Sequence, residues 1–411
     1  MPDMKTHADV EHEDGRSHFE VPLDLKDRAL GAAAEGITIS DPSLPDNPLI
    51  YANSGFERIT GYEVSAVLGK NCRFLQGPDT DPDAAEAIRR AVVEQRECTV
   101  EILNYRKDGS AFWNRLSVTP VRDEHGTVTH FIGVQSDVTD RREAEDGLRV
   151  ANARMKSDLA AAARVQQAKL PHALPEVEGF EFAWRYRPCE ELAGDTLNCF
   201  RLDESHIGVY MIDVSGHGVA ASLLSVTLSR MLLPMPGQSV LYTASPTDPS
   251  ERYIAAPSVV AERLNRQFPF DDQTGQFFTM VYGVLDIATA TLQYVSAGHP
   301  PLILLGKDGH PKELRREQFP VGIMPETTFV GDTVHLKRGE RLFVYTDGIT
   351  EACDEGGQQY ETERLRQSIA VSRKKTLDAS LGAIVESVER FRDSAEIRDD
   401  ISILGIEATP R

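Results

Sequence analysis

One cysteine in the chain stands among side chains that suit ligand binding. In the run Gly69-Lys70-Asn71-Cys72-Arg73-Phe74-Leu75-Gln76-Gly77, the thiol has an amide before it, a guanidinium after it and a second amide four residues later. A free cysteine is most often a buried apolar side chain. A guanidinium donates hydrogen bonds in a planar fork that suits a phosphate, however, and each amide offers a donor and an acceptor. The residue types alone therefore allow two interpretations, a packed thiol or a thiol beside a bound ligand.

Further amides lie on the segments that follow. Asn104 and Asn114 lie on two successive predicted strands, and Gln135 lies on a third. The ring edge of flavin mononucleotide (FMN) alternates N–H and C=O groups, which only an amide side chain can match on both counts. Arg73 and Arg89 suit the phosphate at the other end of FMN. Any one of these amides alone is more often an ordinary turn or strand residue, so the hypothesis of a flavin site depends on their joint spacing.

The cysteine run and the strands after it resemble the LOV photosensors, a branch of the PAS fold. The resemblance covers about residues 30–140, through Asn-Tyr-Arg-Lys-Asp-Gly-Ser-x-Phe-Trp-Asn (104–114) and Gly-Val-Gln-Ser-Asp-Val-Thr (133–139). It implies that Cys72 bonds to a light-excited flavin, and that the flavin is bound by Asn71, Arg73, Gln76, Arg89, Asn104, Asn114 and Gln135. Because the bond protonates a ring nitrogen, the Gln135 amide is expected to rotate and to rearrange the last strand.

In the second half of the chain, four short segments place an aspartate where a predicted strand gives way to a loop. They are Ala193-Gly194-Asp195, Ile212-Asp213-Val214-Ser215-Gly216-His217-Gly218, Tyr345-Thr346-Asp347-Gly348 and Arg398-Asp399-Asp400-Ile401-Ser402. A fifth segment, residues 296–301, has the same character without an acid. Carboxylates are the ligands that Mg²⁺ and Mn²⁺ prefer, and two such ions can hold a hydroxide for attack on a phosphoryl group. One aspartate in a turn is usually just a turn residue, but four of them, each beside a strand of core residues, predict a metal centre.

Together with the lead-in at residues 163–171, these segments resemble the metal-dependent PPM serine/threonine phosphatases, specifically the SpoIIE-like branch that acts on anti-anti-sigma proteins. The resemblance covers about residues 163–408. It implies two Mn²⁺ or Mg²⁺ ions, held by Asp195, Asp213, Asp347, Asp399 and the carbonyl of Val214.

Four further positions qualify this resemblance. Asp400 is a weaker candidate ligand, and His217 and His299 are expected to shape loops. The family usually has a second carboxylate at the position of Asn198, and its loss is expected to weaken a metal site without abolishing it.

Composition excludes several other classes of protein. The 411 residues include 44 Lys and Arg against 64 Asp and Glu, a net charge of −20. Such a surface repels phosphate backbones, so nucleic acid and anionic membranes are not expected partners. The five cysteines are scattered and contain no Cys-x-x-Cys pair, and the acidic start lacks a secretory signal. No apolar run is long enough to span a bilayer, so we expect a cytoplasmic protein.

The predicted fold is α+β and multidomain. Residues 1–20 are expected to be a flexible extension, 21–140 a LOV (PAS) sensor with a flanking helix at 21–33, 141–170 a helical linker, and 171–411 a PPM-type α-β-β-α sandwich. Periodicity predicts sensor strands at 36–40, 49–53, 98–106, 111–121 and 128–137, with a helix at 82–95 capped by Asp81. Phosphatase strands are predicted at 180–187, 207–213, 277–286, 291–296, 302–305, 341–346 and 401–407, and helices at 220–232, 257–268, 361–372 and 377–391. The loop at 234–258 is either a flap beside the substrate or disordered.

The linker is predicted to pair with a second copy as a parallel coiled coil. Its apolar positions keep the four-three spacing of a coiled-coil seam, slip by one residue, and then continue; they are Ala144, Leu148, Ala151, Met155, Leu159, Ala162 and Val165. The alternative is a solvated single helix, because the seam is short and rich in alanine.

These patterns predict a dimeric protein phosphatase, controlled by blue light, that acts on phosphoserine in a partner protein of the anti-anti-sigma class. An alternative is a light-dependent binding module whose phosphatase domain is inactive because of Asn198. A sensor histidine kinase is a weaker alternative, since the linker has no phosphoacceptor histidine.

Overall fold

The structure is a computed structural model that describes residues 23–171, 173–235, 239–245, 248, 252–270 and 275–410. It divides into two compact units, Met1–Ala153 and Arg154–Arg411. The extension expected over residues 1–20 lies outside the described residues. None of the described helices is both long and apolar enough to cross a lipid bilayer.

The first unit is built on one antiparallel sheet. Its strands are β1 (Gly36–Ser40), β2 (Leu49–Ala52), β3 (Cys98–Tyr105), β4 (Ala111–Arg122) and β5 (Val128–Asp137), in the order β2-β1-β5-β4-β3. Its helices are α1 (Leu23–Ala32), α2 (Ser54–Thr60), α3 (Val64–Val67) and α4 (Pro82–Val93), with a 3₁₀ helix at Cys72–Leu75. Two leading strands, short helices and three trailing strands follow each other as the sequence predicts.

Side-chain caps fix the ends of the helices beside this sheet. The Asn53 side chain accepts a hydrogen bond from the Phe56 amide at the start of α2. It also donates to the carbonyls of Leu30 and Glu35, at 2.8 and 3.0 Å. Asp81 caps α4 by accepting from a backbone amide two residues later. The bonds of Asn53, directly after β2, hold α1 beside the start of α2.

Two apolar clusters hold the first unit together. One contains Leu49, Ala52, Phe56, Val67 and Leu75. Cys72 and Phe74 pack against this cluster. The second lies between the sheet and α4, and contains Val118, Val128 and Phe131. Each large apolar side chain buried in this way contributes roughly 1.5–3 kcal/mol. Cys72 is therefore held at the edge of a packed core.

A single helix of 29 residues, α5 (Thr139–Gln167), covers most of the predicted linker. The predicted seam residues Leu148, Met155 and Val165 are 64%, 56% and 63% exposed. Near the end of the helix, Ala163 and Gln166 are buried. Exposed apolar side chains at this spacing suit a second helix, but the coiled coil itself stays a prediction.

The second unit stacks two antiparallel sheets. Its strands are β6 (Phe180–Arg187), β7 (Thr196–Arg201), β8 (His206–Val214), β9 (Tyr242–Ala244), β10 (Arg252–Ile254), β11 (Phe278–Asp286), β12 (Thr291–Ala297), β13 (Leu302–Leu305), β14 (Pro311–Leu314), β15 (Asp332–His335), β16 (Arg341–Tyr345) and β17 (Ile401–Ala408). One sheet has the order β15-β12-β11-β8-β7 and the other β14-β13-β16-β17-β6. β9 and β10 form a separate hairpin.

Helices cover the outer faces of both sheets. They are α6 (Val219–Met231), α7 (Pro257–Gln267), α8 (Asp347–Thr350), α9 (Glu361–Ser372) and α10 (Leu377–Arg392). Residues of α6 and α7 share an apolar cluster with β8 and β11, and residues of α9 and α10 share one with β16 and β17. A third cluster fills the space between the sheets. The predicted α-β-β-α sandwich is confirmed.

Five observed strands are not predicted by the sequence pattern: β7, β9, β10, β14 and β15. Except for β7, each has only three or four residues. The β9–β10 hairpin lies within the loop at 234–258, of which residues 236–238, 246–247 and 249–251 are outside the described part. The described part of that loop therefore contains regular structure.

Candidate functional site

The thiol of the first unit faces a buried amide. Gln135 Nε2 donates to Cys72 Sγ at 3.7 Å, and the Gln135 side chain is fully buried. Burial raises the pKa of Cys72 to about 12, and the hydrogen bond from Gln135 only partly opposes this shift. The thiol is therefore neutral at pH 7, and any bond that it forms requires a partner that is itself reactive.

Three amides meet on one face of the sheet. Asn114 Nδ2 donates to Asn104 Oδ1 at 2.9 Å and to Gln135 Oε1 at 3.4 Å. β4 lies between β3 and β5, and Asn114 is opposite Ile102 on one side, with Asn104 diagonal to it. Alternation along the three strands therefore turns these side chains to the same side.

One atom of this amide cluster is left over. Asn114 Oδ1 is buried and has no hydrogen-bond partner among the described residues. A buried acceptor without a donor costs about 1–3 kcal/mol. An N–H group on the edge of a ring would satisfy it, so the residues present fit a flavin.

The other predicted flavin contacts lie nearer the surface. Arg73 forms an exposed ion pair with Asp46 at 2.7 Å, and Arg89 pairs with Glu86. Asn71 caps the 3₁₀ helix, and its Nδ2 donates to the Asp46 carbonyl at 2.6 Å. Gln76 is exposed at the end of the same helix. These contacts leave Arg73 and Arg89 beside carboxylates that a phosphate could replace, and their part in flavin binding stays a prediction.

The end of β5 is fastened to the start of α5, a feature that the sequence did not indicate. Thr139 Oγ1 accepts from the Trp113 amide at 2.9 Å and donates to Asp137. Asp137 also pairs with Arg106 at 2.6 Å. The guanidinium of Arg142 lies 3.9 Å above the centre of the Trp113 ring. A change at Gln135, two residues before Asp137, would therefore act on the first turn of α5.

The second site lies where the core between the two sheets of the second unit ends. Side chains on one face of a strand recur every second residue. On five segments the outermost core residue has a polar residue two positions away, before or after it, on the same face of the strand. The pairs are Leu197 and Asp195, Met211 and Asp213, Val281 and Thr279, Val344 and Thr346, and Leu404 and Ser402. Thr346 Oγ1 and Ser402 Oγ both donate to Asp195 Oδ2. Alternation thus gathers polar groups of both sheets at one end of the sandwich.

Glycines let the loops of this end approach each other. A Cβ at Gly194 would lie 2.7 Å from the Val214 carbonyl oxygen, and one at Gly348 would lie 2.1 Å from the Asp400 carbonyl oxygen. Real Cβ atoms essentially never approach this closely. Each Asp-Gly or Gly-Asp pair therefore needs its glycine so that the aspartate beside it can reach the cluster.

The aspartates raise one another's pKa values. Burial, and then the charges of Asp347, Asp399 and Asp400, raise the pKa of Asp213 to about 8. Burial, Asp399 and Glu351 raise the pKa of Asp347 to about 6. Burial and Asp213 raise the pKa of Asp195 as well. Asp347 Oδ1 is buried and accepts no hydrogen bond from any described residue. Buried carboxylates that repel one another fit divalent cations placed among them.

Asp400 joins the loops rather than facing outward. Its Oδ2 accepts from the amides of Gly194 and Asp195 at 2.8 and 3.2 Å, and its Oδ1 accepts from the Cys189 amide at 2.8 Å. Carboxylate or thiol atoms of Cys189, Asp399 and Asp400 lie within 4.8 Å of one another. Asp400 therefore holds the loop of Asp195 beside that of Asp399, a role that its motif position alone did not reveal.

Asn198 faces away from the aspartates. It lies on β7 opposite Tyr210, which belongs to the cluster under α6 and α7. Asp195 is three residues away, so the two side chains point to opposite faces of the strand. A carboxylate at position 198 would not join this cluster in the present arrangement.

The two histidines occupy different surroundings. His217 is exposed and pairs with Glu190 at 3.2 Å. His299 is buried, and its Nδ1 lies 2.7 Å from Thr279 Oγ1.

Gln166, near the end of α5, is bonded to the loop of the first aspartate. Its Nε2 donates to the Ala193 carbonyl at 2.6 Å and to Ser225 Oγ at 2.9 Å. Its Oε1 accepts from the Ala193 amide at 3.2 Å. Ala193 is two residues before Asp195, so these bonds hold the end of α5 next to the loop of the first aspartate.

Two family models match the chain. Residues 203–409 match stage II sporulation protein E (SpoIIE), and residues 34–140 match a PAS domain. Together the two matches cover both candidate sites, except for residues 189–198 of the second site and α5 beyond residue 140.

Individual relatives match over part of the chain. A blue-light-activated histidine kinase of Brucella anthropi is 52% identical over 101 residues, 25% of this chain and 21% of its own length. Phototropin-2 of Oryza sativa subsp. japonica is 49% identical over 126 residues, 30% of this chain and 14% of its own length. The chain thus spans about a fifth or less of these relatives.

A solved structure matches the second half in fold. The SiaA-PP2C domain of Pseudomonas aeruginosa superimposes with a TM-score of 0.51 at 18% identity, covering 62% of this chain and 98% of that domain. At this identity the match concerns the fold alone.

Proposed function

The chain belongs to the SpoIIE family, and from its PAS domain of the LOV type we propose that it is a protein serine/threonine phosphatase regulated by blue light. The proposed cofactors are FMN and two Mn²⁺ or Mg²⁺ ions. The proposed substrate is phosphoserine in a partner protein of the anti-anti-sigma class, and the proposed form is a parallel dimer in the cytoplasm.

The proposal for the sensor rests on the amide cluster beside the thiol. Bound flavin would supply the light-driven reactivity that a neutral thiol lacks. Cys72 is the thiol that bonds to it, and Gln135 already donates to that sulfur. Asn114 would use its unpaired Oδ1 to accept a hydrogen bond from the ring edge. Arg73 and Arg89 would exchange their surface carboxylates for the phosphate.

The proposal for the phosphatase rests on one observation, the gathering of five aspartates at one end of the sheet sandwich. Two divalent cations would supply an activated water and neutralise charge on the phosphoryl group. Asp213, Asp347 and Asp399 would hold the ions together with Asp195 and the Val214 carbonyl. Asp400 would keep the loops in place through its bonds to backbone amides. Because Asn198 faces the opposite side of β7, it gives no structural reason for an inactive domain.

We further propose that α5 transmits the light signal. The helix begins at Thr139, which is bonded to Asp137 on the strand of Gln135. It ends beyond Gln166, which is bonded to Ala193. Rotation of the Gln135 amide after illumination would shift the bonds at the first end. The geometry of the Asp195 loop would respond at the other end.

One experiment tests both halves. The purified full-length protein is examined by absorption spectroscopy in the dark and after blue illumination, and phosphate release is measured in both states with Mn²⁺. We expect a flavin band that bleaches and recovers, and a rate that differs between the two states. Cys72→Ala should keep the band but lose the bleaching and the difference in rate. Asp213→Asn should keep the photochemistry and lose phosphate release.

The outcomes separate the proposed functions. A colourless protein would contradict the sensor. A protein that bleaches but releases no phosphate from a phosphoserine protein or from a generic phosphoester would favour the light-dependent binding module. Turnover that persists in Asp213→Asn would contradict the role of the aspartates.

A further inference from the structure

In the segment at residues 296–301, the turn after β12 places a histidine in the interior of the second unit. β12 ends at Ala297, and Gly298 follows with a φ of 66°. A Cβ at Gly298 would lie 2.5 Å from Pro320, so only glycine permits this turn. Two prolines follow His299 and restrict the backbone. His299 is consequently only 7% exposed although it lies in a loop.

The ring of His299 lies between the two sheets. Its Nδ1 is 2.7 Å from Thr279 Oγ1, on β11. The ring also lies close to the backbone carbonyl of Tyr345, at the end of β16, which favours an N–H on the ring. Nε2 is buried and makes no hydrogen bond of normal geometry within the described part of the chain. A carbonyl can only accept, so we assign the proton to Nε2 and let Nδ1 accept from the Thr279 hydroxyl.

Thr279 is the direct neighbour of a candidate metal ligand. In the pairing of β11 with β8, Thr279 is opposite Asp213. Directly opposed side chains of an antiparallel pair lie on the same face with Cβ atoms about 4.5–5.5 Å apart. The position of the Thr279 side chain therefore limits the space that the Asp213 carboxylate can occupy.

Tyr345 precedes a residue that supports a second predicted metal ligand, Asp195. The next residue, Thr346, donates from Oγ1 to Asp195 Oδ2 at 2.9 Å, and Thr346 Oγ1 also accepts from the Ser402 amide at 3.1 Å. Any shift of the β16 backbone at Tyr345 would carry the Thr346 hydroxyl with it. The ring of His299 thus bonds to the neighbour of Asp213 on one sheet and lies near the backbone that precedes Thr346, the support of Asp195, on the other.

We propose that His299 is a positioning residue of the metal centre, which sets the spacing between the sheet that carries Asp213 and the sheet whose Thr346 holds Asp195. This inference rests on the proposed phosphatase function. It gives a role in positioning the metal ligands to the segment at residues 296–301, which contains no acid. With Nδ1 bonded to Thr279 and the proton on Nε2, the ring offers no free lone pair to a metal ion. Burial lowers the pKa of His299 to about 3, so the ring stays neutral and adds no charge to compete with the cations.

Mn²⁺ binding to the full-length protein in the dark tests the role directly. His299→Leu removes the polar atoms of the ring and should weaken Mn²⁺ binding, measured by titration calorimetry, by about 10- to 100-fold, as expected for residues that orient ligands. His299→Asn keeps an acceptor near the place of Nδ1 and should recover part of the affinity. The flavin absorption band should not change in either variant.

A double-mutant cycle separates positioning from a general loss of packing. Thr279→Val removes the partner hydroxyl at nearly constant volume. If the contact between the two residues sets the metal affinity, Thr279→Val and His299→Leu should each weaken binding, and their combination should weaken it little further than His299→Leu alone. Full additivity of the two effects would overturn the contact, and so would unchanged Mn²⁺ affinity in a His299→Leu protein that unfolds cooperatively.

The same titrations distinguish this inference from the function on which it rests. If the unaltered protein binds no Mn²⁺, the metal centre fails, and the positioning role fails with it. If the unaltered protein binds Mn²⁺ and both variants bind it equally well, only the positioning role is overturned. Should His299→Leu fail to fold, Thr279→Val alone decides, because it leaves the ring in place and should still weaken Mn²⁺ binding.

Discussion

Adding one methyl group at Gly194 should impair the proposed metal centre without changing a charged residue. The Cβ of Gly194→Ala would lie 2.7 Å from the Val214 carbonyl oxygen and 3.1 Å from the Gly216 carbonyl oxygen. Ordinary contact begins near 3.4 Å, so the loops have to separate by about 0.7 Å, a strain typical of overpacking. Both obstacles are backbone atoms, which cannot rotate away.

The separation acts on the atoms that the centre needs. The Gly194 amide donates to Asp400 Oδ2, and the next residue is Asp195. The Val214 carbonyl is itself a predicted metal ligand. We expect the overpacking to lower the free energy of unfolding by about 1–3 kcal/mol. Displacing catalytic groups by somewhat less than 1 Å should lower the rate of phosphate release by roughly 10- to 100-fold.

Phosphate release at several Mn²⁺ concentrations, with urea unfolding of the same protein, measures both effects. Gly382→Ala on α10 is a matched control, since the nearest atom to its Cβ would be Arg185 Nη2 at 3.8 Å. That control should keep full activity and gain up to about 1 kcal/mol of stability, because alanine suits a helix interior better than glycine. A folded Gly194→Ala protein with the activity and Mn²⁺ dependence of the unaltered chain would refute the steric reasoning.

Three further predictions concern the sensor and α5. Because burial raises the pKa of Cys72 to about 12, the thiol is neutral well below that pH; the extent of flavin bleaching should stay constant between about pH 6 and 9, and a rise with pH would indicate a thiolate. Replacing the exposed seam residues Leu148 and Met155 by Glu should convert a dimer to a monomer in light-scattering measurements, and an unchanged mass would exclude the coiled coil. Gln166→Ala removes the bonds to Ala193, so the rates of phosphate release in light and dark should become equal; a preserved ratio would mean that the signal takes another route.

Strong alternation and motif spacing were enough to predict most of the sheets. β1, β5, β6 and β13 begin and end where the sequence predicts, because each alternates or carries a short apolar run between turn residues. The edge strands β14 and β15 have four residues each and little apolar character. Their positions depend on pairing with β13 and β12, and this tertiary contact is invisible in a local pattern.

Because the sequence pattern did not predict β7, Asn198 was interpreted as a lost metal ligand. Read as part of a motif, Asn198 is a lost ligand close to Asp195 in sequence. Read as the third residue of a strand, it points away from Asp195. The signal was available, because Leu197 and Cys199 alternate with Thr196 and Asn198, and both are buried between the sheets.

The contacts that hold the aspartates of the proposed metal centre could not be predicted from spacing. Gly194 bonds to Asp400, 206 residues later, and Thr346 bonds to Asp195, 151 residues earlier. Sequence reasoning could indicate that the aspartates belong together, because each lies where a strand meets a loop. It could not indicate which of them bind backbone amides and which remain available for a cation. That division depends on how two sheets pack, and no single segment encodes it.

The atoms left without partners suggest what each site binds. Beside the thiol of the first unit, one such atom is a neutral amide oxygen, Asn114 Oδ1, which lies among other amides and apolar residues, and an N–H donor is its natural complement. In the aspartate cluster of the second unit, one such atom is a carboxylate oxygen, Asp347 Oδ1, and its acidic neighbours raise the pKa of that carboxyl. A neutral donor would satisfy that oxygen but leave the repulsion among the carboxylates, whereas a divalent cation removes both costs. The same accounting of buried polar groups therefore points to a heterocyclic ring at one site and to metal ions at the other.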